Sequence, residues 1–305
     1  MSLDIYPRRA IPDRVLLISR RTHELRMGMV PRIGVALIQM FILFRVALET
    51  GMRLHAFAFL PNQYQLVISE PRNHSRVSEF IERLNRYLAR VFNARNRTRG
   101  YFWDSDPTLI IELLDRESVK DAIVDTLTMA QRAGLSNGPG NWVGLESSVE
   151  SIGGAPLHVD RPASLGRQLP PFLELTLAKP KFFEDLTDAE FREILGSRLR
   201  AVTLAIRRDR RRRGLSVRSP GAIVNTDWRQ VPAAEPEDVC RRAREDSPFR
   251  GALELCRQAE RALEEFREAY RIARDRWRSG DHTVVFPRGT DALRRRHGAR
   301  IAPAA

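Results

Sequence analysis

The sequence predicts an α+β fold, and three observations carry that reading. Two strand-like runs, 53–60 and 63–69, meet at Leu60-Pro61-Asn62, a tight turn that makes them antiparallel neighbours. Val77, Phe80, Ile81, Leu84, Leu88, Val91 and Phe92 recur at helical spacing and mark an amphipathic helix. Further strand-like runs stand on either side, at 14–19 (RVLLIS) and 108–114 (TLIIELL).

The remaining elements follow in order. Pro31 suits the first turn of a helix that Ile33 to Leu48 continue and Gly51 stops. Ser118 is expected to cap a helix over 119–133 that ends at Gly134, with Asp125 and Met129 four residues apart on one face. The order β, α, β, β, α, β, α fits a mostly antiparallel sheet with helices on one side, for which a ferredoxin-like arrangement is the nearest standard form. Gly153, Gly154, Pro156 and Pro162 mark a linker-like change of character, so a first domain over 1–155 and a basic, largely helical C-terminal extension over 156–305 are expected. In the extension, 172–177 (FLELTL) is strand-like, Thr187 and Glu190 form a capping box, and 250–278 is a charged helix. The Thr187 helix runs into Arg207, Arg208 and Arg210 to Arg213, either a solvated face or a phosphate-binding one. A strand-like Thr283 to Pro287 and a basic Arg294-Arg295-Arg296-His297 segment follow.

The chain has 305 residues, a net charge of +13 and 43% hydrophobic residues, which excludes a disordered chain and leaves room for a substantial core. Lys occurs only at 120, 179 and 181, so the basicity is almost all Arg. That favours phosphate-bearing partners, unless high genomic GC content alone accounts for it. Cys240 and Cys256 are the only cysteines, which supports neither a disulfide framework nor a structural zinc site. The most apolar run, Ile33 to Phe44, falls short of the roughly 20 residues that span a bilayer, and no secretory signal is visible, so a cytoplasmic location without membrane partners is the default expectation. The six histidines are dispersed and point to no ligand cluster.

Along the strand 63–69 side chains alternate between faces, with a rise of about 3.3 Å per residue. Gln63 and Gln65 therefore share one face about 6.6 Å apart, while Tyr64, Leu66 and Ile68 take the other and belong to the core. Two polar residues flanking a large apolar one have the geometry of a ligand pair. Asn93 to Gly100 form a basic loop beside Tyr101, Phe102 and Trp103, a composition suited to a nucleic-acid backbone with rings for stacking, or to a solvated loop over a hydrophobic plug.

These landmarks together resemble the single-tyrosine HUH transposases of bacterial insertion sequences, in particular the REP-associated tyrosine transposases and their long relatives. The resemblance rests on Ser19-Arg20-Arg21-Thr22-His23, the Ala58 to Val67 strand pair, Asn93 to Trp103, Arg132-Ala133-Gly134-Leu135 and Asn141-Trp142, in that order. The C-terminal Val284-Val285-Phe286-Pro287 and His297-Gly298 match the long relatives. It implies an HUH fold in which a His-hydrophobic-His pair binds Mg²⁺ or Mn²⁺, a helical Tyr attacks a DNA phosphate to give a phosphotyrosine, and an amide at +4 completes the metal site.

This chain departs from that pattern at each position. Gln63-Tyr64-Gln65 replaces the His pair, Asp125 falls at the nucleophile position, and Met129 at +4. Amides and a thioether are poor ligands for a hard cation, and a carboxylate repels a phosphate diester. The resemblance therefore implies a degenerate active site, with no cofactor expected and the family's cleavage and strand-transfer reaction lost. A replacement centre with Asp125, Gln63 and Gln65 on a metal and Tyr64, Tyr87 or Tyr101 as nucleophile is disfavoured by the strand geometry. What remains is an expected DNA-binding protein for hairpin or single-stranded ends, with Arg20, Arg21, Arg83, Arg86, Arg95, Arg97, Arg99 and Arg132 as its framework. Family members occur as monomers and as dimers, which leaves a homodimer open. The alternative is a protein–protein module, or a decaying mobile-element product, without DNA activity.

Overall fold

The computed structural model of the protein describes residues 11, 13–72, 75–232, 247–290, 293–294 and 297–303. His74, Cys240, Arg295 and Arg296, which enter the sequence reading, lie outside the described residues.

The sheet at the centre is built from β1 (Val15–Arg21), β2 (Arg53–Leu60), β3 (Gln63–Ser69), β4 (Leu109–Leu113) and a two-residue β7 (Phe249–Arg250). Its order is β2-β3-β1-β4-β7. The first four strands pair antiparallel, and β7 joins β4 in parallel. Pro61-Asn62 closes the β2–β3 hairpin as expected, with Leu60 opposite Gln63. The outer edge of β2 does not face solvent as a bare ladder. Phe59 N–H donates to Leu145 O at 2.8 Å, and Ser147 N–H donates to Phe57 O at 2.9 Å, so the 145–147 segment covers that edge.

Strand alternation then assigns the helices, and here the structure differs from the expectation of helices on one side. α1 (Val35–Thr50) and α2 (Val77–Arg95) cover the face that carries Phe57, Phe59 and Tyr64. Phe44 meets Phe57 edge-on at 6.3 Å, and the Tyr64 hydroxyl donates to Asn85 Oδ1 on α2 at 2.7 Å. α3 (Arg116–Leu127) covers the opposite face, where Gln65 Nε2 donates to Thr126 Oγ1 at 2.8 Å. β3 is buried on both faces along its whole length. That is why it reads as a continuous run in which even the polar Gln63 and Gln65 lie inside. Pro31 does not start α1. The chain turns at Gly34, whose φ of +80° is open to glycine, and the helix begins only at Val35.

The C-terminal half packs against the same core. Its elements are β5 (Leu157–Asp160), β6 (Phe172–Leu175), α5 (Asp188–Arg212), α6 (Pro220–Val224), α7 (Leu253–Arg278), β8 (Val285–Phe286) and β9 (Arg300–Ile301). Val159, Leu177, Phe183, Phe191 and Leu195 belong to one apolar cluster with Val15, Phe41 and Leu66. The Thr187–Glu190 capping box opens α5 as the sequence predicts, its side chains bonding each other's backbone N–H groups. Tyr270, Ala273, Val284, Phe286 and Ala299 form a separate small cluster between α7 and β8.

His55 shows how tightly β2 is enclosed. A register shift between Leu54 and Ala56 interrupts the ladder at this position. The ring is fully buried, with Nδ1 at 2.6 Å from Ala178 O and Nε2 against the Ser69 hydroxyl. Nδ1 must therefore donate and Nε2 accept, so the imidazole is held neutral. Burial pushes its pKa down from 6.5 to about 4. Below pH 6.5 the unfolded chain takes up a proton that the folded one refuses, so stability falls as pH drops through the window from 6.5 to about 4. The full loss is about 3 kcal/mol at 1.36 kcal/mol per pH unit. Urea denaturation across that window is expected to show this slope in the native protein and a weaker one in His55→Gln; equal slopes would contradict it.

Candidate functional site

Gln63, Gln65, Asp125 and Met129, the four positions singled out by the sequence resemblance, lie on β3 and on the helical segments that cross the sheet's α3 face. In the sheet, Gln65 has Ala58 on one side and Ser19 on the other, and Gln63 lies between Leu60 and Arg21. α3 is laid across this face from a firm start. Asp115 is its N-cap, its carboxylate accepting from Ser118 N–H at 2.8 Å while the Ser118 hydroxyl accepts from Asp115 N–H. Ser118 is thus the third residue of the helix rather than its cap. Thr126 Oγ1 donates to Ala122 O at 2.7 Å and accepts the Gln65 amide, fixing helix to strand.

The expected single helix over 119–133 is divided. α3 ends at Leu127, Thr128 leaves helical geometry with φ −103° and ψ 3°, and a single turn, α4 (Met129–Arg132), follows. Asp125 and Met129 meet different surroundings on either side of this break. The Asp125 carboxylate is only 15% exposed and has a guanidinium on each oxygen: Arg132 Nη2 at 3.1 Å from Oδ1 and Arg250 Nη1 at 3.1 Å from Oδ2. One turn earlier, Asp121 pairs with Arg250 at 3.5 Å and also with Arg198 of α5. Glu117, a further turn back, pairs with Arg198 at 3.1 Å. Glu117, Asp121 and Asp125 therefore form a carboxylate stripe at i, i+4 and i+8, clasped by arginines from α5 and β7.

Met129 is 8% exposed and packs with Ala58, Leu60, Ala130, Trp142 and Ile223 in a satellite apolar cluster. Trp142 Nε1 donates to Phe59 O at 2.9 Å, which seats the indole over the β2 edge. A divalent cation does not fit these residues. The donors are two amides and a thioether, and the one carboxylate already faces two cations. Among the described residues no three His, Cys, Asp or Glu side chains gather to hold a metal.

The three tyrosines lie apart from this face. Tyr64 is on the opposite side of β3, fully buried, and burial pushes its hydroxyl pKa upward. Tyr87 lies under the guanidiniums of Arg45 and Arg86. Tyr101 is 87% exposed, 6.3 Å from the His23 ring. With Asn93, Asn96 and Trp228 these two rings line a cavity of about 190 Å³. Of the three residues in the 101–103 segment Tyr101 is exposed, Trp103 half-buried and Phe102 buried. Phe102 stacks on Phe92, and Trp103 Nε1 donates to Asn85 O at 2.8 Å.

The arginine framework divides in the same way. Arg20 is on the Tyr64 side of β1, bonded to the backbone carbonyls of Asp104 and Asp106, whereas Arg21 is on the Gln63 side. Arg83 pairs with Glu49 and Glu79, Arg86 with Glu82, and Arg132 with Asp125. Arg95 bonds Ile33 O. Arg97 and Arg99 are exposed beside Tyr101, with no carboxylate partner among the described residues. Sequence reasoning missed Arg250 and Thr126. Arg250 lies 125 residues from the carboxylate that it holds, and nothing local in Pro248-Phe249-Arg250-Gly251 signals it.

No protein-family model matches the chain, and no curated protein matches it in sequence. Among solved structures, it aligns with a REP-associated tyrosine transposase bound to a REP hairpin at 11% identity and a TM-score of 0.36, over 44% of this chain and 75% of that one. A candidate transposase from Deinococcus radiodurans aligns at 17% identity and a TM-score of 0.27, over 36% of this chain and 84% of that one. At those identities and scores the alignments assign no function, which rests on the geometry above.

The clasp has a measurable consequence. Asp125→Ala leaves Arg132 without its carboxylate and Arg250 with Asp121 alone, and a loss of about 1–2 kcal/mol is expected for this half-buried cluster. In guanidinium chloride or urea titrations, Asp125→Ala combined with Arg250→Ala should cost less than the two single substitutions added together. Strict additivity would mean that the ion pair contributes nothing.

Proposed function

We propose that this chain is a nucleic-acid-binding protein on a transposase-like, ferredoxin-like framework, with structural residues at the metal and nucleophile positions. The single observation that carries the reading is Asp125 held between Arg132 and Arg250. A side chain in that role cannot open a phosphodiester, and its replacement by a clasp preserves the α3–sheet packing that a binding surface needs. The strand order β2-β3-β1-β4 supports the ferredoxin-like part of the proposal. A net charge of +13, with Arg97, Arg99 and Tyr101 exposed on one loop, supports the binding part.

The ligand class is DNA with a hairpin or single-stranded end. Arginines on the loop meet phosphates, and Tyr101 offers a stacking face that double-stranded DNA does not need. Fluorescence anisotropy with a labelled hairpin carrying a single-stranded tail tests this. Affinity should fall steeply with salt, and Arg97→Ala/Arg99→Ala should make the log–log salt slope shallower by about 1.4–1.8, two phosphate contacts at roughly 0.7–0.9 each. Tyr101→Ala should cost about 1–3 kcal/mol on the tail. Lack of measurable hairpin binding at low salt would overturn the proposal.

A further inference from the structure

The end of α5 carries a second basic feature, separate from the 93–101 loop. Arg207, Arg210 and Arg211 line a cavity of about 390 Å³ together with Gln131, Asn137 and Val217. That volume is at the small end of the range for small-molecule sites, roughly 300–1,000 Å³. None of the three guanidiniums has a carboxylate partner among the described residues, although the α5 surface elsewhere is laced with ion pairs.

The cavity is built rather than incidental. Arg207 Nε donates to Asn137 O at 2.8 Å, and Arg210 Nη2 donates to Ser216 O at 2.6 Å, so two guanidiniums are held by backbone carbonyls that add no charge of their own. They lie flush against the 134–138 loop. A Cβ at Gly134 would come within 2.5 Å of Arg210 Nη2, and one at Gly138 within 3.0 Å of Arg207 Nη2. Gln131 is 1% exposed. Its amide nitrogen is fixed by two carbonyls, Thr203 O at 3.1 Å and Asn137 O at 3.3 Å, so the orientation of the amide is set and Oε1 is the remaining acceptor. Oε1 is buried and has no hydrogen-bond partner, and the same is true of Arg210 Nε. Both atoms are shut off from solvent, and the polar lining the cavity offers is its three arginines with Ser136 and Asn137.

We propose that this cavity is a phosphate site for a nucleotide end, taking a terminal phosphate on Arg207, Arg210 and Arg211. Three cations without a counter-charge match a terminal phosphate, which carries about −1.5 to −2 at neutral pH, better than a phosphodiester with a single charge. Val217 supplies an apolar wall for the base. As a place for the phosphorylated end of a strand, the site deepens the nucleic-acid reading above and rests on it, yet it can be tested apart from it.

The test is isothermal titration of the full chain with dAMP, deoxyadenosine and inorganic phosphate at low salt. dAMP should bind, deoxyadenosine at least tenfold more weakly. Arg211→Ala, an exposed position whose loss leaves the loop contacts intact, should weaken both dAMP and phosphate by about tenfold. Circular dichroism checks that the variant folds. Absence of dAMP binding to the folded native chain, or equal dAMP affinity in Arg211→Ala, would overturn the site. Hairpin binding without dAMP binding rejects this cavity alone, whereas dAMP binding without hairpin binding rejects the proposed function and leaves the cavity standing.

Discussion

A carboxylate with a guanidinium on each oxygen is the interaction on which this molecule's arrangement depends. Asp125 is removed from most solvent, and such a charge is tolerated only where cations meet it. Arg132 comes from the next turn of chain and Arg250 from the far end of the sequence. To bring Arg250 to Asp125, β7 must lie along β4, which places a C-terminal residue pair in the central sheet. Asp121 and Glu117 extend the clasp to Arg198 and so to α5. One acidic stripe on α3 thereby fixes the helix over the sheet and fastens two later segments of the chain to it.

The same geometry decides what the α3 face can do. The Gln65 amide is turned to Thr126, Met129 packs in an apolar cluster with Trp142, and the Asp125 carboxylate is paired on both oxygens. Each of these residues has a structural partner of matching chemistry. Elsewhere, Arg95 at the end of α2 and Arg207 and Arg210 near the end of α5 meet backbone carbonyls instead of carboxylates.

Much of the architecture is legible in the sequence because it is local. The Leu-Pro-Asn turn, the α2 stripe and the Thr187–Glu190 box are each encoded within a few residues, and each is found where expected. The failures are long-range or depend on one backbone torsion. Helices on both faces follow from where α3 packs, which no local period reveals. The start of α1 was displaced by the turn at Gly34, and the long α3 helix was divided at Thr128. At the candidate site the alternation of Gln63, Tyr64 and Gln65 was readable, and the burial of both amides was not. β7 is two residues long and carries no strand signature, so the partner of Asp125 was invisible.

The central claim is that residue 125 holds the fold together and does not act on DNA. It is tested most directly by incubating the full chain with a radiolabelled hairpin carrying a single-stranded tail, in Mg²⁺ or Mn²⁺, and resolving the mixture on a denaturing gel. The account predicts that the DNA runs at its full length and free of protein under conditions where a native gel shows a complex. A labelled band at the mass of a covalent protein–DNA adduct would contradict it.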